Sequence, residues 1–233
     1  MEGIMFSDSV NENFGVVLKG RSIARLDKIS GRFNDCFIVN NFDRFTENQA
    51  TEWDLVSPQL QGKKVVHFVN RLNDCPLRKE HYQELDITDV QFSIAEVDSK
   101  LAESKKIYES YGLTCHLLPK PLLSENEFFR DKYYLKPGDS DYTKKHPNTG
   151  VLAIVYALRV LAPKNLWIGG LDFYQVDYLI RRPHLTSLEN QQLRVKNTNM
   201  IEYFCNLLDQ YRETKFYVVS DAKLPERPNL EVL

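Results

Sequence analysis

From Pro147 to Tyr178 the chain reads PNTGVLAIVYALRVLAPKNLWIGGLDFYQVDY, and this succession of signals leaves few folds open. Val151, Leu152, Ile154, Val155, Leu158 and Leu161 recur at helical spacing and stop before Pro163, which predicts a helix over 149–161 with Asn148 or Thr149 as its cap. Leu166-Trp167-Ile168-Gly169-Gly170 follows at once, a short apolar run closed by glycines. That is the pattern of a parallel strand buried on both faces, so helix and strand together predict an α/β sheet. Ligands of such sheets gather at the carboxyl ends of the strands. Leu171-Asp172-Phe173-Tyr174-Gln175 lies just past this end, with Tyr178 four residues beyond Tyr174. Gly150 lets a ligand approach the backbone, and the unpaired N–H groups and positive dipole end of the first helical turn favour a phosphate or carboxylate there. The same residues also fit an ordinary capped core helix.

The rest of the chain repeats the theme. Apolar runs predict strands near 14–18, 35–39, 64–69, 113–118, 165–170 and 214–219, alternating with helical stretches near 22–28, 98–111, 149–161 and 197–212. In the last of these, Met200, Ile201, Phe204, Leu207, Leu208 and Tyr211 form one apolar face, which core packing explains in full. Residues 120–146 and 175–196 are polar, aromatic and without periodicity, and both read as long loops or lids. No Gly/Ser-rich or Pro-rich linker divides the 233 residues, so residues 1–233 are expected to form a single domain.

Several function classes are disfavoured. The net charge is −2 and the basic residues are dispersed, so a nucleic-acid backbone is not the expected partner. No run of about 18 apolar residues occurs, and Met1–Val10 is too polar for a secretory signal, which points to the cytoplasm. Cys36, Cys75, Cys115 and Cys205 lack paired spacing and read as buried thiols rather than a zinc site or disulfide framework. Asp139-x-Asp141 has the spacing of a paired-carboxylate metal motif, but its Pro-Gly loop reads as solvated, so no metal is expected there.

With these segments in view, PNTGVLA, ALRVLAPKNLWIGGLDFYQ and their order resemble the bacterial sialyltransferases that act on lipooligosaccharide, glycosyltransferase family 42, as a divergent member. A fainter likeness is to the S motif of animal sialyltransferases. Phe14 to Ser22 is similar to the family's first strand and G-N-G-P-S nucleotide loop, with Lys19 where Asn is usual and Arg21 where Pro is usual. Asn34 to Phe42 resembles the second strand, with Asn40 at the donor-binding position, and Gly62 to Asn70 the third, with Asn70 as a second donor contact. The matches are collinear over nearly the whole chain.

This resemblance implies a Rossmann-like, open, mainly parallel sheet with helices on both faces, the sialyltransferase-type variant of the GT-A fold, and a lid at 175–196. It implies a metal-independent transferase that moves a sialic acid or related ulosonic acid from its CMP-activated donor to a hydroxyl of a glycan acceptor of lipooligosaccharide or capsule type. CMP-Kdo is the related donor. No cofactor beyond the CMP-sugar substrate is implied. Donor contacts carry over to Gly20, Ser22, Asn40, Asn70, Asn148, Thr149, Gly150, Asp172, Phe173, Tyr174 and Tyr178. Tyr174 and Tyr178 correspond to the phosphate-binding tyrosines, while Thr149 and the Gly150 amide would hold the donor carboxylate. Asp172 is expected to order its loop rather than react. Homo-oligomers and peripheral association with the inner membrane face also follow from the family.

The resemblance breaks at the general base. The family's histidine is replaced by Arg194, and a guanidinium with a pKa above about 12 accepts no proton at neutral pH. His184, Asp177 or Glu189 could take the proton, Arg194 could bind an acidic group, or the chain could be a CMP- or glycan-binding module that has lost catalysis. His146 likewise stands where the family has an arginine, so acceptor recognition differs.

Overall fold

In the computed structural model the described residues are 4–40, 42, 51–69, 77–93, 99–119, 122, 149–173 and 200–233. They form eight strands: β1 (Asn13–Val17), β2 (Asp35–Val39), β3 (Lys64–Val69), β4 (Asp89–Phe92), β5 (Thr114–His116), β6 (Asn165–Gly169), β7 (Lys215–Val219) and β8 (Leu230–Val232). The helices are α1 (Asp27–Ser30), α2 (Glu52–Leu60), α3 (Lys79–Glu84), α4 (Ser99–Ser110), α5 (Thr149–Tyr156) and α6 (200–210). One sheet takes all eight strands in the order β5-β4-β3-β2-β1-β6-β7-β8, and all seven pairings are parallel, where a mainly parallel sheet was expected.

Because successive side chains of a strand point to opposite faces, each strand feeds two cores. Phe14, Val16, Phe37, Val39, Val66 and Phe68 meet α5 and α6 on one face. Cys36, Ile38, Val65 and Val69 meet α1, α2 and the Tyr82 and Tyr108 rings of α3 and α4 on the other. Helices thus cover both faces. Every residue of α5 from Gly150 to Tyr156 is buried, which matches its all-round apolar sequence. Its Tyr156 ring packs edge-on against Phe37 at 5.3 Å, and Phe37 in turn meets Phe14 at 4.9 Å and Phe68 at 5.1 Å. Edge-to-face pairs of this kind contribute roughly 0.5–1.5 kcal/mol each beyond area burial, and here they fix α5 across β1, β2 and β3.

Local chemistry redraws some expected boundaries. The helix expected over 149–161 is α-helical to Tyr156 and then widens to a π turn over Ala157–Leu161, closed by Ala162 at φ 47° and its N–H to the Ala157 carbonyl at 2.9 Å. The helix expected near 22–28 is a 3-10 turn over Arg21–Arg25 followed by α1. Two strands and two helices arise where no element was expected. β4 and β8 are only four and three residues long, and β8 lies on the sheet edge beyond Pro225 and Pro228. α2 carries Pro58 in its interior, which removes one helical N–H donor. Other bonds offset that loss: a capping box between Thr51 and Asp54, and hydrogen bonds from Trp53 Nε1 (2.7 Å) and Ser57 Oγ to the Glu84 carboxylate at the end of α3. The 175–196 segment, most of 120–146 and residues 197–199 lie outside the described residues.

Candidate functional site

The strand order reverses beside β1: the chain leaves β1 toward β2 on one side and leaves β6 toward β7 on the other. In an open parallel sheet the carboxyl ends of the strands at such a reversal are the usual ligand position. Gly20 and Asp172 sit at this point.

The two loops touch backbone to backbone. Leu18 N–H donates to the Gly169 carbonyl and Gly20 N–H to the Gly170 carbonyl, both at 2.8 Å. A Cβ on Gly20 would lie 2.3 Å from the Gly170 oxygen and 2.5 Å from Asp172 Oδ2. Gly170 has φ +76°, and a Cβ there would lie 2.2 Å from the Leu18 oxygen. Glycine is required at both positions for these reasons.

Asp172 locks the arrangement. Its buried carboxylate accepts from Ser22 N–H (2.8 Å) and Ser22 O–H (2.6 Å), and from Asp221 N–H (2.9 Å) just past β7. Ser220 Oγ lies 3.3 Å from the same oxygen and donates to the Leu171 carbonyl. One carboxylate thus ties the ends of β1, β6 and β7 together, with its lone pairs taken by the chain's own donors. Ser22 is buried, its amide and hydroxyl both turned inward, so neither is offered to a ligand in this arrangement. Phe173 is buried at φ 48° and packs on Phe204 of α6 at 5.5 Å.

Asn40, one residue past β2, takes the left-handed conformation at φ 62° and is half-buried. Its N–H continues the sheet ladder to the Phe68 carbonyl at 3.0 Å, while its carbonyl accepts from His67 Nε2 at 2.9 Å. Thr149 and Gly150 begin α5. Only Ala162–Lys164 separates the π turn that ends this helix from β6, so α5 runs antiparallel to the strands and its amino end lies at the same sheet edge as Gly20, Asn40 and Asp172. The expected contacts Asn70, Asn148, Tyr174 and Tyr178, and the expected catalytic residues His184 and Arg194, lie outside the described residues.

Sequence reasoning missed His67, Tyr82 and the Ser220–Asp221 pair. The pair was findable, since it follows strand 214–219 as Asp172 follows strand 165–170. His67 and Tyr82 carried no signal beyond their places in an apolar strand and a polar helix.

Burial pushes the His67 imidazole down from 6.5 to about 4, against a smaller upward effect of its bond to Asn40. Below pH 6.5 the unfolded chain takes up a proton that the folded one refuses until about pH 4. The His67 contribution to stability is therefore level above pH 6.5 and falls with pH across that window, by about 3 kcal/mol in total. Urea denaturation at pH 7 and pH 4.5 is expected to show most of this loss in the natural chain and to show it largely absent in His67→Gln. Equal slopes in the two chains would refute the assignment.

The described cysteines are structural in character: burial pushes the Cys36 thiol far above its ordinary value and Cys115 up to about 11. Among the described residues, no group of three or more His, Cys, Asp or Glu side chains could hold a metal ion. No helix of the described residues is long and apolar enough to cross a membrane.

Comparison with known proteins places this geometry. No family model matches the sequence, and no curated protein matches it. Solved structures do match. The sialyltransferase CstII from Campylobacter jejuni, solved with the substrate analogue cytidine-5'-monophosphate, aligns over 94% of this chain and 86% of its own, with 16% identity and a TM-score of 0.52. The monofunctional α-2,3-sialyltransferase Cst-I from Campylobacter jejuni aligns over 98% of this chain and 86% of its own, with 13% identity and a TM-score of 0.53. A structure of CST-II with a trisaccharide acceptor and CMP aligns over 95% and 89%, with 15% identity and a TM-score of 0.50. At these identities the shared property is the fold: the chain has the sialyltransferase-type α/β architecture.

Proposed function

We propose that the chain is a metal-independent glycosyltransferase that moves a sialic acid or related ulosonic acid from its CMP ester to a hydroxyl of a glycan. The observation that carries this reading is the glycine-on-glycine crossing of the β1 and β6 loops at the strand-order reversal, within a fold otherwise found in enzymes solved with CMP. The crossing fixes the two strand ends against each other at the sheet's reversal, the position at which open parallel sheets bind their ligands.

In the proposed reaction the bond from the anomeric carbon to the phosphate oxygen breaks, and its electron pair leaves with CMP. The acceptor oxygen bonds to that carbon, and its proton passes to a base. Negative charge grows on the phosphate, so the site must supply donors that act most strongly at that moment. Tyr174 and Tyr178 are assigned to the phosphate, Asn40 and Asn70 to the nucleoside and sugar, and Thr149 with the Gly150 amide to the donor carboxylate. His184, in the proposed 175–196 lid, is assigned as the base in place of the missing family histidine.

Arg194 favours a second reading, a CMP- or glycan-binding module of the same fold without turnover. Calorimetry with CMP and CDP, each with and without EDTA, tests both. Saturable CMP binding that EDTA leaves unchanged is expected, followed by release of CMP from a CMP-sugar donor when an acceptor glycan is added. No binding of CMP would overturn the donor assignment. Binding without donor hydrolysis or transfer across a panel of acceptors would select the module.

A further inference from the structure

A buried relay of hydrogen bonds reaches the candidate site from behind and ends on Asn40. Leu77 N–H donates to the Tyr82 oxygen at 3.1 Å, and Tyr82 O–H lies 2.9 Å from His67 Nδ1. The Asn40 carbonyl can only accept, so the neutral ring is left with Nδ1 as its acceptor and accepts the tyrosine O–H there. That leaves the imidazole proton on Nε2, which faces the Asn40 carbonyl at 2.9 Å. By donating to Nδ1, Tyr82 supports the tautomer in which His67 donates to Asn40. The ring is fully buried on β3, opposite Ile38, between the Tyr82 and Tyr108 rings.

This bond matters because of where Asn40 sits. At φ 62° its backbone has left the extended path for the left-handed region, which asparagine adopts more readily than most residues with a side chain. Its N–H makes the last rung of the β2–β3 ladder, and its carbonyl is turned out of that ladder to His67. The imidazole therefore fixes the direction in which the chain, and with it the Asn40 side chain, leaves the sheet edge.

We infer that His67 is a positioning residue of the donor site, which, held by Tyr82, fixes the left-handed turn from which Asn40 addresses the nucleotide. This rests on the proposed donor reading of Asn40. His67 itself touches no ligand. It acts through one backbone carbonyl, and Tyr82 acts through His67.

Calorimetric CMP binding by the natural chain, His67→Met, His67→Gln, Tyr82→Phe, Asn40→Gly and the double variant Asn40→Gly with His67→Met tests this. His67→Met removes the donor to the carbonyl and Tyr82→Phe frees the tautomer; each is expected to weaken CMP binding by about tenfold, the scale of one lost hydrogen bond. His67→Gln, whose amide can still donate to the carbonyl, is expected to stay within about threefold of the natural chain. Asn40→Gly keeps the backbone conformation and removes the side chain, so adding His67→Met to it is expected to weaken binding no further. That non-additivity would not arise from a general loss of stability. Should His67→Met fail to fold, Tyr82→Phe carries the comparison. Full-strength CMP binding by the folded variants, or additive losses in the double variant, would overturn the inference and leave the donor reading intact. No CMP binding by the natural chain would overturn the donor reading and this inference with it.

Discussion

Alanine at Gly170 is expected to leave little folded protein. The added Cβ would stand 2.2 Å from the Leu18 carbonyl oxygen and 2.8 Å from its carbon, both backbone atoms in the loop that the crossing depends on. No side chain can rotate away to relieve this. The residue also holds φ +76°, where alanine is strained whatever the space around it. Steric overlap and backbone strain together are expected to cost more than about 4 kcal/mol, a large part of the 5–15 kcal/mol that holds a typical domain. Gly112 supplies the control: it has φ +82° with no atom within 4 Å of its added Cβ, so Gly112→Ala carries the strain without the overlap. It is expected to cost about 1 kcal/mol. Urea denaturation of the two variants separates the effects, and equal midpoints would show that the loop crossing is looser than described.

Asp172→Asn is expected to cost about 2–4 kcal/mol although it changes almost no volume. Both carboxylate oxygens accept backbone N–H bonds, Oδ2 from Ser22 and Oδ1 from Asp221, and Oδ1 takes the Ser22 hydroxyl as well. An asparagine presents one oxygen and one NH2, so whichever way the amide turns, one buried N–H faces another donor. Leaving a buried donor unsatisfied costs about 1–3 kcal/mol, and the loss of a charge-assisted bond adds to it. A lowered denaturation midpoint at unchanged slope would match this. A midpoint within experimental scatter of the natural chain would mean that Asp172 does not join the three strand ends. CMP affinity is expected to fall with stability, since Gly20 lies two residues from Ser22.

Much of the architecture was legible because burial on both faces leaves a plain mark. Asp35–Val39 is apolar after its first residue and Lys64–Val69 is broken only by His67 after its first, and both strands fall where the sequence placed them. α2 was hidden by Pro58, and its stability comes from Glu84, a residue 31 positions after Trp53 that no local pattern reveals. β4 and β8 are too short to show a period. At the site, Gly20, Gly170 and Asp172 stood out as glycines and an acid at strand ends. Their use is less apparent from sequence: Ser22 reads as a nucleotide-loop serine, yet it points inward to Asp172 and the Val219 carbonyl. His67 reads as one polar residue inside an apolar strand, and only the fold brings Tyr82 and Asn40 to its two nitrogens.

The placement of β1 beside β6 has a consequence for how the molecule comes into being. Asn13 and Trp167, whose side chains bond at 3.1 Å across these two strands, are 154 residues apart, and the Ser22–Asp172 bonds span 150. During synthesis β1 to β5 can assemble first, but β1 then remains an open edge, with its glycine loop unsupported, until β6 emerges. Closing so long a separation makes this pairing a late and slow event in folding. Nascent chains that stall before β6 would expose Phe14 and Val16 along an unpaired strand, so chaperone demand should peak in that interval, and no truncated product should retain the crossing of the β1 and β6 loops.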